Sequence, residues 1–245
     1  MTSSIPAEGT RTAEGTAPVR RVRSARGTTP QAVLLDMDGT LVDTEGFWWA
    51  AEVSVFAEFG HTLNEEQRQV VVGGPMSRSA AYLIASTGAD IALPELTTRL
   101  NTRFEELVDG NVPLMPGARR LLTELAAHDV PTALVSASHR RIIDRVLRSL
   151  GPESFQFTVA GDEIPRTKPH PDPYLHAAAA LGADPRRCAV VEDTLTGVTA
   201  AEAAGCAVVA VPSVAPIEPA PGRHLVRSLT EVDLPLLRSV VERLR

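Results

Sequence analysis

The chain has 245 residues, 44% hydrophobic and 22% charged, with a formal net charge of −6. These are globular proportions, with room for one large domain or for a core and a smaller insert. Residues 1–29 carry five Arg against two Glu, which leaves −9 on the remainder and disfavours nucleic acid as a partner. No stretch approaches the ~20 apolar residues of a membrane span, so no membrane partner is expected.

Residues 1–29 are rich in Thr, Ala, Gly, Ser and Arg, lack apolar periodicity and read as a disordered tail with no secretory h-region. The apolar run Ala32–Leu35 predicts a short buried strand, and Gly39 supplies the turn after it. From Phe47 to about Val112 the pattern is helical. Trp48, Ala51, Val55 and Phe59 recur at spacings of three and four, and further helices are expected at 64–71, 76–87 and 94–109. Gly73-Gly74 lacks the preceding strand and third Gly of a dinucleotide fingerprint.

From Pro113 onward strands and helices alternate. A helix opens at Pro116-Gly117, Thr132–Val135 is a strand, and His139–Leu150 is a helix closed by Gly151. Gln156–Ala160 is a strand, and Asp172-Pro173 opens a helix with Asp172 as its N-cap. Cys188–Val191 and Ala207–Val211 are strands flanking a helix over Gly197–Ala204. A short strand at His224–Val226 and a last helix from about Leu234 complete the chain. Alternation of this kind means a parallel sheet covered on both faces. The chain starts the sheet, leaves to build a helical unit, and returns to finish it. Cys188 and Cys206 fall in apolar strand-like segments and read as buried free thiols of a reducing cytosol.

Polar residues at strand ends carry the functional reading, because strand C-termini in such a sheet converge on one crevice. Asp36 and Asp38 follow the first strand. Side chains at i and i+2 of a strict strand share a face, so both acids are expected to reach one point. Ser136-Ala137-Ser138 follows the Thr132–Val135 strand, Lys168 lies in Thr167-Lys168-Pro169-His170, and Glu192-Asp193 follows Cys188–Val191. Each has an ordinary structural reading as a cap, a surface Lys or an acidic loop. All four at these places, in this order, are hard to obtain by chance.

With D-x-D-G-T at 36–40, Ser136, Lys168 and the pair 192–193, the sequence resembles the haloacid dehalogenase-like hydrolase superfamily over about residues 31–212. The resemblance implies an α/β fold: a Rossmann-like parallel sheet core, residues 30–45 plus 113–245, with an inserted α-helical cap domain, 46–112. It implies a Mg²⁺-dependent phosphatase of a small phosphorylated metabolite; a cytoplasmic location and a monomer or small homo-oligomer are expected beside it. Asp36 would be the nucleophile that forms an aspartyl-phosphate, and Asp38 the acid and then the base. Ser136 and Lys168 would hold the phosphoryl oxygens, with Thr40, Ala137 and Ser138 as further substrate-binding positions. The implied Mg²⁺ site comprises Asp36, the Asp38 carbonyl and Asp193, with Glu192 contributing from behind these ligands or through a water.

An Asp at position 38 also separates phosphatases from the superfamily's dehalogenases, which lack it. Asp43-Thr44-Glu45-Gly46-Phe47-Trp48-Trp49-Ala50-Ala51-Glu52 is similar to the cap opening of sugar- and polyol-phosphate phosphatases, with Gly46 where Pro is usual. Arg78 is a candidate substrate contact from the cap. A β-phosphoglucomutase-type phosphomutase is the alternative, weakened because that branch places a His near Trp48. A catalytically silent binding protein would be expected to lack one of the motif residues, and none is missing.

Overall fold

The computed structural model describes residues 30–71, 76–108, 112–213 and 215–244. The tail at 1–29 and Gly73-Gly74 therefore lie outside the described residues.

Among the described residues six strands form one sheet in the order β3-β2-β1-β4-β5-β6, every neighbouring pair parallel. They are β1 (Ala32–Leu35), β2 (Thr132–Val135), β3 (Phe157–Val159), β4 (Cys188–Glu192), β5 (Ala207–Ala210) and β6 (Arg223–Leu225). β1 and β4 are central and buried along their whole length, which is why their sequences are unbroken apolar runs rather than alternating ones.

Alternate β1 residues enter different cores. Val33 and Leu35 join the cluster built with α5 (Ala118–Ala127), α6 (Arg140–Leu150) and α9 (Leu234–Arg243). Ala32 and Leu34 join the cluster built with α7 (Asp172–Ala180) and α8 (Leu195–Ala203). Each fully buried Leu or Val contributes about 1.5–3 kcal/mol relative to exposure.

Among the described residues between β1 and α5 there are four helices: α1 (Glu45–Glu58), α2 (Glu65–Val71), α3 (Met76–Thr87) and α4 (Leu93–Leu107). They close over a separate core that includes Val55, Phe56, Leu63, Leu83, Leu96 and Leu100. The base of this unit is tied to the sheet domain through Phe104, whose ring stacks on Trp48 at a centroid separation of 3.8 Å.

Local expectations shift at three places. Pro171, not Asp172, is the N-cap of α7, and the Asp172 carboxylate pairs with Arg166 at 2.9 Å. α8 starts at Leu195 because the Thr194 hydroxyl accepts the Gly197 N–H at 3.1 Å and caps the helix two residues earlier. β1 ends at Leu35, and the Leu41 and Val42 N–H groups both bond the Met37 carbonyl. Asp38 thus sits in a tight loop beyond the strand, and Asp36 and Asp38 do not occupy i and i+2 of a regular strand. Cys188 and Cys206 are buried free thiols, and burial pushes the Cys188 thiol up to about 12.

Candidate active site

The C-terminal ends of β1, β2 and β4 bring the strand-end polar residues to one wall of a cavity of about 410 Å³, and α1 to α4 form the other wall. The Lys168 side chain, 4% exposed, is the hub. Its Nζ donates to Asp36 Oδ1 at 2.6 Å, to Glu192 Oε1 at 2.7 Å and to the Val135 carbonyl at 2.9 Å. Burial on its own would lower the Lys168 pKa, but Asp36 and Glu192 outweigh it and hold the ammonium well above its usual value.

Glu192 has no lone pair to spare. Oε1 accepts from Lys168 and from the Tyr174 hydroxyl at 3.0 Å; Oε2 accepts the Asp193 N–H, the Thr194 N–H and the Thr194 hydroxyl, each at 3.0 Å. Gly197 permits this arrangement, since a Cβ there would stand 1.6 Å from Glu192 Oε1.

Asp193 accepts the Thr40 hydroxyl at 3.1 Å on Oδ1 and the Ser213 hydroxyl at 2.5 Å on Oδ2. Burial, then the charge of Glu192, pushes its carboxyl up to about 7. Asp36 is raised for the same two reasons, with Lys168 opposing. One carboxylate oxygen from each of Asp36, Glu192 and Asp193 lies within 4.8 Å of the others. Three buried carboxylates around a single ammonium leave an excess of negative charge that a hard divalent cation suits, and an all-oxygen donor set is what such a cation takes. Asp36 and Asp193 keep lone pairs for it; Glu192 is saturated and acts by anchoring Lys168.

Asp38 is held separately. Its Oδ1 accepts the Thr44 hydroxyl at 2.8 Å, and Oδ2 accepts the Ser136 and Ser138 hydroxyls at 3.0 and 2.9 Å. The Ser138 N–H in turn donates to Ser136 Oγ at 2.9 Å. Thr44 is the N-cap residue of α1 but makes no side-chain cap, because its hydroxyl is directed to Asp38.

The structure thus brings together Asp36, Asp38, Ser136, Ser138, Lys168, Glu192 and Asp193, with Ala137 on the cavity wall and Thr40 turned to Asp193. Arg78 lies on α3, exposed, and is not among the residues that line the cavity. Sequence reading missed Thr44, Tyr174 and Ser213 as partners of the acids. Ser213 follows β5, so the same strand-end logic had the means to find it. Tyr174 sits among alanines on a buried helix face and carries no such signal.

Comparison with known proteins accords with this geometry. The family described as haloacid dehalogenase-like hydrolase matches residues 33–211. The chain is 34% identical over 186 residues to the bifunctional riboflavin kinase/FMN phosphatase of Arabidopsis thaliana, covering 74% of this chain but only 48% of that protein. It is 31% identical over 186 residues to hexitol phosphatase B of Escherichia coli K12, covering 74% of this chain and 83% of that protein. The crystal structure of CbbY from Rhodobacter sphaeroides in complex with phosphate superposes with a TM-score of 0.75 at 26% identity, over 86% of this chain and 99% of that one.

Proposed function

The chain belongs to the haloacid dehalogenase-like hydrolase family, and we propose that it is a Mg²⁺-dependent phosphatase of a sugar or polyol phosphate. The observation that carries this reading is the pairing of two differently held acids at one cavity. Asp36 is ion-paired to Lys168, while the partners of the Asp38 carboxylate among the described residues are all hydroxyl groups.

In the first step an Asp36 oxygen bonds to phosphorus as the ester P–O bond breaks, and Asp38 gives its proton to the departing oxygen. In the second step Asp38 takes a proton from water. The water oxygen bonds to phosphorus, the Asp36–phosphorus bond breaks, and inorganic phosphate leaves with Asp36 restored. Lys168 opposes the upward shift that burial and Glu192 impose on Asp36 and faces the charge on the phosphoryl oxygens. Ser136, Ser138 and Thr44 fix the orientation of Asp38 and exchange partners as its proton moves. Mg²⁺ would be held by the Asp36 and Asp193 carboxylates, with the Asp38 carbonyl as the ligand the family resemblance implies. It would supply positive charge against the phosphoryl oxygens.

A polyhydroxylated substrate is supported by the Asn101 amide and by the Ser79 and Thr97 hydroxyls, which donate to the Val71 and Leu93 carbonyls and keep acceptor lone pairs, and by the similarity to a hexitol phosphatase. A mutase is disfavoured because the His that branch carries near Trp48 is absent, and the Trp48 ring is stacked on Phe104. Phosphate release should be screened over sugar, polyol and nucleotide monophosphates, with Mg²⁺ and with chelator. Mg²⁺-dependent release abolished in Asp36→Asn is expected; release that survives Asp36→Asn refutes the mechanism.

A further inference from the structure

Glu52 is a buried acid for which the two-step chemistry has no use. It lies on α1, is 5% exposed, and is among the residues that line the cavity. No described residue is hydrogen-bonded or ion-paired to its carboxyl. Burial and then the charge of Glu45 push that carboxyl up to about 8. A buried carboxyl without a partner among the described residues is costly unless what enters the cavity supplies one. An apolar side chain would pack this position at lower cost, as Ala51 and Val55 do beside it on the same helix.

The charges around the cavity are lopsided. The titratable groups facing it are Glu45 from α1 and, from the sheet domain, Asp36, Asp38, His139, Lys168, Glu192 and Asp193. Among the described residues of α2, α3 and α4 none of the lining groups is charged. Lys168, the one permanent cation among the described lining residues, is already bonded to Asp36 and Glu192. Among the described residues of the helical unit, Arg99 and Arg103 pair with Glu58, Arg68 lies 5.8 Å from the Trp49 ring centroid, and Arg78 is exposed on α3 outside the cavity lining. Glu52 lies just over two turns of α1, about 12 Å, beyond Thr44, whose hydroxyl bonds Asp38. The end of the cavity remote from the phosphoryl site therefore offers hydrogen-bonding groups and negative charge, and among the described lining residues no free cation stands there to hold a second anion.

We infer that Glu52 selects the substrate's tail. Its carboxyl bonds hydroxyl groups at the end remote from the phosphoryl group and, when ionised, turns away tails that end in a second anion. The inference rests on the phosphatase reading for the placement of the phosphoryl group at Lys168. It deepens that reading by assigning tail specificity to one residue and by excluding bisphosphates and phosphorylated carboxylic acids as preferred substrates.

Binding at pH 9, where Glu52 is ionised, tests this without turnover. Calorimetric titrations in an Asp36→Asn background with Mg²⁺ would compare D-glucitol 6-phosphate, D-glucitol 1,6-bisphosphate and hexyl phosphate. The hydroxylated monophosphate should bind about tenfold or more tighter than either of the others. Adding Glu52→Gln, which keeps the hydrogen bonds and removes the charge, should narrow the gap to the bisphosphate to about threefold while hexyl phosphate stays weak. Adding Glu52→Leu should erase both preferences, and a role in cap packing alone would leave both intact. Equal binding of the three ligands, no binding of D-glucitol 6-phosphate, or preferences unmoved by either substitution overturns the inference.

Hydrolysis of acetyl phosphate by the natural chain tests the phosphatase reading on its own, since that acyl phosphate is too short to reach the tail end. Hydrolysis with unmoved preferences removes the role of Glu52 and leaves the phosphatase. No hydrolysis of acetyl phosphate or of any phosphate ester, with Glu52-dependent preferences, removes the phosphatase and leaves the selection of tails.

Discussion

Lys168 Nζ stands 2.6 Å from Asp36 Oδ1, an ion pair closed across 132 positions of sequence with both side chains under 10% exposed. Removing one member of a buried pair strands the other charge, which costs about 3–5 kcal/mol. Lys168→Met should therefore lower the melting temperature as well as abolish turnover, because Asp36, Glu192 and Asp193 are left with no compensating ammonium. Mg²⁺ should recover part of the lost stability in thermal melts of the variant. A melting temperature equal to that of the natural chain, with or without Mg²⁺, contradicts the electrostatic role given to Lys168.

Asp38 predicts a dependence on the leaving group. Loss of a positioned general acid typically costs ~10²–10⁴ in rate. Asp38→Asn should suffer that loss on a hexitol phosphate, whose alkoxide needs a proton to depart. It should suffer much less in the first step on acetyl phosphate, whose leaving group is stable as an anion. Thr44→Val and Ser138→Ala each delete one donor to Asp38 and should cost about fivefold to tenfold, in line with ~1 kcal/mol per hydrogen bond. Rapid-mixing kinetics on the two substrates would separate the steps; equal losses on both would remove the acid role.

These hydroxyl partners mark the boundary of what the sequence discloses. β1, β2, β4 and β5 are legible because strands buried on both faces must be continuous apolar runs, and the polar residue that ends each run stands out. That same contrast makes Asp36, Ser136 and Glu192-Asp193 visible. Which hydroxyl closes on which carboxylate is set by packing between elements more than 90 residues apart, as with Ser136 on Asp38 and Thr40 on Asp193. No local pattern encodes that choice. Asp38 illustrates the limit from the other side. Its alternation with Asp36 suggests a shared strand face, but Gly39 at φ 80° and the Met37 carbonyl turn the chain out of the strand first.

Gly197 gives a steric test of the Glu192 anchor. An added Cβ would lie 1.6 Å from Glu192 Oε1 and 1.9 Å from its Cδ, so the carboxylate must leave the position that receives Lys168, Tyr174 and Thr194. Gly197→Ala should destabilise by about 3 kcal/mol or more, since several charge-assisted hydrogen bonds fail together. Gly46 is the contrast. It lies in the first turn of α1 with nothing within 4 Å of where a Cβ would stand, so Gly46→Ala should be neutral or stabilising by up to about 1 kcal/mol. Urea unfolding of the two variants checks the pair; a benign Gly197→Ala would mean that Glu192 is not the fixed anchor of Lys168.

Glu52 makes stability depend on pH in a direction opposite to that of most carboxylates. Its carboxyl titrates at about 8 in the folded chain, against an ordinary 4.5. Between those values the folded state holds a proton that the unfolded state has released, so raising the pH favours unfolding, on the order of 1 kcal/mol per pH unit. The contribution is fully present below pH 4.5, declines through the window and is lost above pH 8. Glu52→Gln cannot ionise and lacks this slope. Urea unfolding of both chains at pH 6 and pH 9 isolates it, because groups common to the two cancel in the difference. The natural chain should lose about 2 kcal/mol more than Glu52→Gln on going to pH 9. Parallel behaviour of the two would mean that Glu52 is already ionised at neutral pH, and that neither burial nor Glu45 holds its proton.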